Sequence, residues 1–375
     1  MNARENFHAM MSGGRPEWLP LNLPVTPPVA DLIEERTGVR SSELAFETDF
    51  GFEWVGYNED PARWKAALAE IVCSLPPNVE LGPFCIAHVE PPKGTVGKAY
   101  HFRIMLHPLE KITSVAQLEK LPWPDTSDPA HYTVVQHRMR QIHTRGKVAF
   151  AGLECTAFEA AWYVRGMDNL FQDLAEGNGI ADWLLDNFTT RSINVGRAFA
   201  RSGVDVIGLG DDVGMQTGML LSVPMWRKHL KPRLAKVIAA IRDASRGGKV
   251  WVHYHSDGNI LPIVPELIEI GVDILNPVQP ECMNAAELVR RHGDTLGLSG
   301  MVGTQTTMPF GTPDDVRRRV REIAALHLRR EHPGRIMIAP THVLEPDVPF
   351  ENILALVDEA KSIRLTLTFP SVSTS

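Results

Sequence analysis

Cysteine is scarce in this chain, with four among 375 residues, and no two of the four have the Cys-x-x-Cys spacing. The sequence therefore indicates neither a disulfide framework nor a zinc site made of thiolates. We expect the four thiols to be reduced. They are Cys73, Cys85, Cys155 and Cys282.

Long apolar runs and an excess of basic residues are also missing. No stretch approaches the roughly 18 consecutive apolar residues of a transmembrane helix, and residues 1–18 contain no apolar segment of a signal peptide. Lys and Arg number 38 against 45 Asp and Glu, which gives a net charge of −7. Because a negative chain is not attracted to polyanions, we expect neither a nucleic acid nor a membrane as partner. The sequence predicts a cytoplasmic protein.

The sequence lacks the short motifs of several large enzyme classes. It contains no GxGxxG motif, no P-loop, no GxSxG motif and no HExxH motif. Dinucleotide-dependent enzymes, P-loop nucleotide enzymes and serine hydrolases are therefore disfavoured.

What the sequence does contain is an alternation of apolar runs with helical patterns from position 146 onward. The predicted strands are residues 147–152, 204–209, 250–252, 272–275, 296–300 and 335–339. Such an alternation is typical of a parallel α/β fold. With less regular strands nearer the amino terminus, including residues 19–24, the total is about eight, which predicts a (β/α)8 TIM-type barrel over residues 1–375. An open doubly wound sheet is the alternative.

Residues 29–130 are the least regular part of the chain, rich in proline, glycine and aromatic residues. We expect this stretch to contain elements of the barrel, interrupted by a long insertion that covers the mouth of the active site.

Polar residues follow the predicted strands in an ordered series. In a parallel α/β fold the carboxyl ends of the strands meet at one edge, where ligands bind. The series comprises Glu154, Asp211, Asp212, His255, Asp257, Asn276, Gln279, Gln305 and His342.

His255, Asp257 and His342 are the candidate metal ligands. His255 and Asp257 are two positions apart, so on an extended segment both side chains point to the same side. His342 follows the last predicted strand. Two imidazoles and one carboxylate suit zinc or another divalent metal with open coordination positions. In the alternative interpretation Asp257 is a helix N-cap and His255 a neutral hydrogen-bonding residue.

Acidic and amide side chains complete the predicted site. Asp211 and Asp212 are candidates for proton transfer, or else belong to a solvated turn. Glu154 is a candidate base or ligand, or else an acid at a helix N-terminus. The predicted substrate-binding residues are Asn276, Gln279, Gln305 and Gln216.

Three stretches resemble the uroporphyrinogen decarboxylase superfamily. They are HSDGNILPIVPELIEIGVDILNPVQP (His255–Pro280), LSGMVGTQTTMPFGTPDDV (Leu298–Val316) and IMIAPTHVLEPDVPFENILAL (Ile336–Leu356). Within the superfamily they look closest to the corrinoid-dependent methyltransferases and O-demethylases, as does GLGDDVGMQTGMLLSVPMWRKHLKPRL (Gly208–Leu234). The resemblance implies a (β/α)8 barrel and a homodimer.

The chain departs from the pattern of the superfamily in two places. Porphyrinogen decarboxylases carry an arginine-rich amino-terminal segment and an aspartate for the tetrapyrrole, whereas residues 19–28 read LPLNLPVTPP. Methyltransferases of the superfamily bind zinc through a His-x-Cys pair and a later Cys, and here these positions read His255-Ser256-Asp257 and fall near His342. Harder ligands thus replace both thiolates, which favours zinc with a different substrate or a harder ion.

Together these features predict metal-assisted methyl transfer or demethylation of a small methoxylated or methylated compound. The methyl group would pass to a corrinoid protein or another one-carbon carrier. Because the chain has no DxHxxG corrinoid motif, a partner would hold the corrinoid. Two alternatives stay open: a metal-independent decarboxylase or lyase of a small acid that uses His255 and Asp212, and a non-catalytic barrel that binds a small molecule.

Overall fold

A computed structural model describes residues 1–54, 61–71, 75, 79–89, 104–153, 155–245, 248–328 and 334–365. The strands are β1 (Phe50–Trp54), β2 (Glu80–Leu81), β3 (Ala87–Val89), β4 (Ile104–Leu106), β5 (Val148–Leu153), β6 (Val206–Gly210), β7 (Gly214–Met215), β8 (Gly218–Met219), β9 (Trp251–His255), β10 (Ile274–Asn276) and β11 (Gly297–Leu298). The helices are α1 (Ala3–Met11), α2 (Pro27–Thr37), α3 (Ser42–Ala45), α4 (Pro61–Ile71), α5 (Val115–Leu118), α6 (Thr133–Thr144), α7 (Phe158–Arg165), α8 (Met167–Glu176), α9 (Ile180–Arg201), α10 (Val223–His229), α11 (Lys231–Ala244), α12 (Val264–Glu269), α13 (Ala285–His292), α14 (Thr307–Phe310), α15 (Pro313–Leu328) and α16 (Phe350–Ser362).

The central feature is a six-stranded sheet with the order β1-β5-β6-β9-β10-β11. β5 pairs with β6, β6 with β9, and β10 with β11, each in parallel. Every residue of β5 and β6 is buried, as expected for parallel strands that are covered on both faces. The fold is therefore mixed α/β with a parallel central sheet, the class that the sequence predicts.

The chain divides into two compact units, each made of separate stretches of sequence. The first comprises Met1–Gly51, Ile142–Val148 and the chain from Ile274 onward. Here the β10–β11 pair is followed by single parallel bridges from Leu298 to Ile336 and from Leu21 to Ile338, and α15 packs against α16. The first and last predicted strands are thus extended segments with isolated bridges.

The second unit comprises Phe52–Gln141 and Ala149–Asp273. It contains the parallel strands β5, β6 and β9, with α9 packed against α11. It also contains the antiparallel sheet β2-β3-β4 and the small hairpin β7-β8. The prediction of a single domain over residues 1–375 stays a prediction.

The observed bounds of several strands and helices differ from the predicted bounds. The predicted strand over residues 250–252 continues to His255, because its backbone pairs with β6 as far as Gly210. The sequence pattern of residues 226–244 predicts one helix, whereas the structure has two, α10 and α11, with Pro232 in the first turn of α11. The pattern of residues 180–202 predicts one long helix, and α9 begins at Ile180 as predicted.

Residues 29–130 contain an element of the main sheet, as predicted. β1 lies within this stretch and joins the sheet beside β5. Its role as a cover over the active site stays a prediction. Among the described residues, no helix is long and apolar enough to cross a membrane.

Candidate metal and proton-transfer site

The site begins where β6 and β9 end side by side. These neighbouring parallel strands are in register, with Gly210 opposite His255. Asp211 and Asp212 come directly after β6, and Asp257 comes two residues after His255. The ends of the two strands therefore bring three carboxyl groups and an imidazole into one part of the molecule.

Two glycines allow the loops after these strands to touch. A Cβ atom on Gly258 would lie 2.7 Å from the Gly214 carbonyl carbon and from the Met215 nitrogen, and Gly258 has a φ of +82°. A Cβ atom on Gly214 would lie 2.5 Å from the Asp257 carbonyl oxygen. Because both contacts are closer than a side chain permits, glycine is required on each loop.

Asp212 joins the two loops through its side chain. Its Oδ1 accepts a hydrogen bond from the Asp257 backbone N–H at 2.7 Å and lies 3.9 Å from Nε2 of His255. The side chain is 39% exposed, which leaves it accessible to a bound molecule. Asp212 thus has the position that the predicted proton-transfer residue needs.

His255 and Asp257 lie close together at the end of β9. Both side chains are half-buried, and the His255 Nε2 to Asp257 Oδ1 distance is 3.9 Å. Zinc ligands at about 2.0–2.2 Å from the ion are about 3–4 Å apart, so these two groups have the spacing of metal ligands. An imidazole and a carboxylate are donors that fit a divalent metal. The role of His342, in the first unit, as the third ligand stays a prediction.

Asp257 is not the helix N-cap of the alternative interpretation. The segment after it begins with a 3-10 turn at Leu261, whose N-cap position is Ile260. The Asn259 side chain, and not Asp257, accepts the N–H of Leu261.

Asp211 is buried and holds the start of α7. Its carboxylate accepts backbone N–H groups from Ala157 and Glu159 at 2.9–3.1 Å. Burial raises the pKa of Asp211 to about 7, although these hydrogen bonds oppose the shift. This position favours a structural role for Asp211, and it excludes the solvated turn considered for this residue.

Glu159 is a buried acid that the sequence analysis missed. It lies in the first turn of α7 and is 8% exposed. Burial raises its pKa to about 8, and the negative charges of Asp212 and Asp211 add to the shift. Tyr163 donates a hydrogen bond to Glu159 Oε1 at 3.0 Å. At neutral pH this carboxyl group therefore carries a proton beside Asp212. An acid inside the apolar run Phe158–Trp162 was the available signal.

For four of the remaining candidate residues, burial is the property that the structure gives here. Glu154 lies outside the described residues. Asn276 ends β10 and is half-buried, Gln279 is buried, and Gln305 and Gln216 are exposed. A substrate role for these four side chains stays a prediction.

His253, two residues before His255, is a packing residue. Its ring makes an edge contact with Phe150 at 5.2 Å between centroids. Burial lowers its pKa to about 3, so the imidazole is neutral at physiological pH.

The structure has a parallel α/β fold with polar side chains at its strand ends, and sequence comparison gives the family. The model of the family "Uroporphyrinogen decarboxylase (URO-D)" matches residues 107–363. The chain belongs to the uroporphyrinogen decarboxylase family, as the sequence analysis inferred. The fold of this family is a TIM barrel, which confirms the predicted fold class.

A solved methyltransferase structure shares the fold over nearly the whole chain. A methyltransferase from Methanosarcina mazei superimposes with a TM-score of 0.63 and 17% identity, covering 96% of this chain and 99% of that chain. A glycoside hydrolase family 27 β-L-arabinopyranosidase from Geobacillus stearothermophilus matches with a TM-score of 0.36 and 12% identity, over 92% and 74% of the two chains. Comparison with curated proteins gives no significant match.

Proposed function

We propose that this protein is a metal-dependent methyltransferase or demethylase that acts on a small methoxylated or methylated compound. The observation that carries the proposal is the approach of His255 to Asp257, whose ligand atoms lie 3.9 Å apart, with His342 as the proposed third ligand. Membership of the uroporphyrinogen decarboxylase family and the fold shared with a methyltransferase support an enzyme of this type.

The donor set determines the kind of substrate. Nitrogen and oxygen ligands favour zinc or another borderline or hard divalent ion. Such an ion, held by His255, Asp257 and His342, would act as a Lewis acid on a substrate oxygen or nitrogen. Because no thiolate belongs to this set, an ether or amine suits the site better than a thiol.

Acidic side chains of this chain would transfer the proton that the substrate oxygen takes up. In the proposed reaction the acceptor supplies an electron pair for its new bond to the methyl carbon, and the bond from methyl to oxygen breaks. The released pair stays on the substrate oxygen, which then takes a proton. Asp212, half-exposed beside His255, would take this proton from solvent and pass it to the substrate oxygen. Glu159 holds a proton within the same acidic group.

A corrinoid protein or another one-carbon carrier would accept the methyl group. A corrinoid would be held by a partner, since this chain has no DxHxxG motif. The protein is further proposed to be a homodimer.

Elemental analysis of the purified protein tests the metal centre. We expect about one divalent ion per chain, and its loss in His255→Ala and in His342→Ala. His137→Ala, which removes an exposed imidazole from α6, is the matched control and should keep the ion. An absent ion, or one that both ligand variants retain, would contradict the proposal.

A metal-independent decarboxylase is the second candidate function. The 3.9 Å approach of His255 Nε2 to Asp212 Oδ1 favours it, because this pair would serve as acid and base without an ion. Turnover of a small acid that survives both chelation and His342→Ala would support this alternative over methyl transfer.

A further inference from the structure

A cavity on the second unit has features of a binding site that the proposed function does not use. It has a volume of about 410 Å³, within the range typical of small-molecule sites. Its lining combines α9 with the segment that leads into α6. The lining residues are Thr126, Ser127, Pro129, Tyr132, Thr133, Gln136, Asn194, Arg197, Ala198, Arg201 and Ser202.

The cavity is rich in hydrogen-bond donors and has no carboxylate in its lining. Arg197 and Arg201 lie four residues apart on α9, so their side chains share one face of the helix. In the described part of the chain neither guanidinium forms a salt bridge or a hydrogen bond. Two like charges at this spacing repel each other, and a shared anion would remove that repulsion. This pair is notable because the chain as a whole is negative.

Hydrogen bonds hold the segment before α6 against α9. Asn194 donates a hydrogen bond to the Thr126 hydroxyl at 2.9 Å, and the Tyr132 hydroxyl donates to the Thr126 carbonyl at 2.7 Å. Thr126 and Tyr132 are buried. These contacts fix the segment against α9, so a ligand would not have to order it.

The nearby acids do not neutralise the arginines. The Asp125 carboxylate accepts the N–H and the hydroxyl of Ser127 at 2.9 and 2.6 Å. Asp128 accepts the N–H of Ala130 at 2.8 Å and caps the following turn. Both carboxylates are thus engaged in local turns.

We infer that this cavity binds the phosphate group of a small soluble molecule through Arg197 and Arg201. Guanidinium groups bind phosphate oxygens in pairs of parallel hydrogen bonds, and the Gln136 amide in the lining offers a further donor. The cavity exceeds the size of a phosphate ion and leaves room for the rest of the molecule beside Tyr132 and Pro129. None of the lining residues belongs to the candidate metal centre.

Calorimetric titration with inorganic phosphate, at constant ionic strength against sodium chloride, tests the inference. We expect saturable binding that weakens at least about tenfold in the Arg197→Gln/Arg201→Gln double variant, because charge-assisted hydrogen bonds are lost. The control is Arg290→Gln/Arg291→Gln, which removes two exposed arginines whose charges are already paired with Glu287. It should bind phosphate as the wild type does.

Other outcomes would overturn the inference. Phosphate binding that survives in the double variant would place the anion elsewhere. No phosphate binding at up to millimolar concentration, with the fold of each variant verified by circular dichroism, would mean that Arg201 serves only the C-terminal end of α9. Titration with a phosphorylated nucleoside, compared with the nucleoside alone, then separates recognition of the phosphate from recognition of the attached group.

Discussion

At the scale of single residues, the clearest consequence of the structure is the buried acid Glu159. Its charged form is unfavourable because the carboxyl group is removed from water and lies near Asp211 and Asp212. Since Tyr163 donates to it, the group is also held in position. The sequence alone does not single out residue 159, because it does not give the distance from this residue to residues 211 and 212.

Glu159→Gln should alter the pH dependence of stability. The folded-state pKa of about 8 lies above the ordinary value of 4.5, so the folded state binds the extra proton between these values. This contribution to the free energy of unfolding is complete below about pH 4.5 and is lost as the pH rises through 8. Between pH 5 and 8, we expect the free energy of unfolding to fall less in the variant than in the wild type, by on the order of a few kcal/mol.

Urea denaturation at a series of pH values measures this difference. Glu70→Gln, at an exposed position of α4, is the control and should follow the wild type. Parallel pH profiles for wild type and Glu159→Gln would show that the group is ionised in the folded protein.

Substitutions of the two adjacent aspartates should have different effects on stability and on turnover. Asp211→Ala removes the acceptor for the N–H groups at the start of α7 and should cost about 1–3 kcal/mol of stability. Asp211→Asn keeps an acceptor oxygen and should cost less. Asp212→Asn should leave stability nearly unchanged and reduce turnover of a methoxy substrate by about a hundredfold or more, if Asp212 transfers the proton.

Thermal denaturation and turnover of the same variants decide the point. A loss of turnover in Asp211→Asn that equals the loss in Asp212→Asn would move the proton-transfer role to the buried residue.

At the scale of elements, the contact between the loops after β6 and β9 is what brings the acids to the imidazole. Gly214 and Gly258 permit this contact, and the Asp212 side chain closes it through the Asp257 N–H. The sequence shows both glycines, but it does not show that the two loops touch. Strand β9 extends beyond the apolar run that predicted it, because backbone pairing with β6 also includes the polar residues that follow this run.

Gly258→Ala should break this contact. The new Cβ would approach Gly214 and Met215 to 2.7 Å in a backbone conformation with φ of +82°. Gly38→Ala is the matched control, since Gly38 has a φ of +78° and no atom within 4 Å of its added Cβ. Both variants lose about 1 kcal/mol for the backbone conformation. We expect a clearly larger loss in Gly258→Ala, together with weaker metal binding.

Equilibrium unfolding and metal titration of the two variants provide the measurement. Equal losses of stability and unchanged metal affinity would mean that the loop yields without moving Asp257.

At the scale of the whole molecule, the metal should couple to stability. An ion that binds only the folded chain raises the free energy of unfolding by RT ln(1 + [L]/Kd). Chelation should therefore lower the melting temperature of the wild type by several degrees and abolish demethylation, with both effects reversed by added zinc. His255→Ala should melt at the same temperature with and without chelator. A wild-type melting temperature that is the same with and without chelator would argue against a bound metal.

The sequence by itself determined the α/β class, the order of most helices and strands, and the family. These follow from local periodicity and from motifs, which depend on near neighbours in the chain. It also proposed His255, Asp257 and His342 as one cluster, because parallel strands carry their loops to the same edge.

Only the tertiary structure decided which acids are buried and what they touch. Asp211 and Asp212 are adjacent and chemically identical, yet one caps a helix inside the protein and the other faces outward beside His255. Their environments, and that of Glu159, are made by chain segments some 50 residues away. Desolvation and charge proximity depend on distances in space, and no local pattern in the sequence encodes these distances.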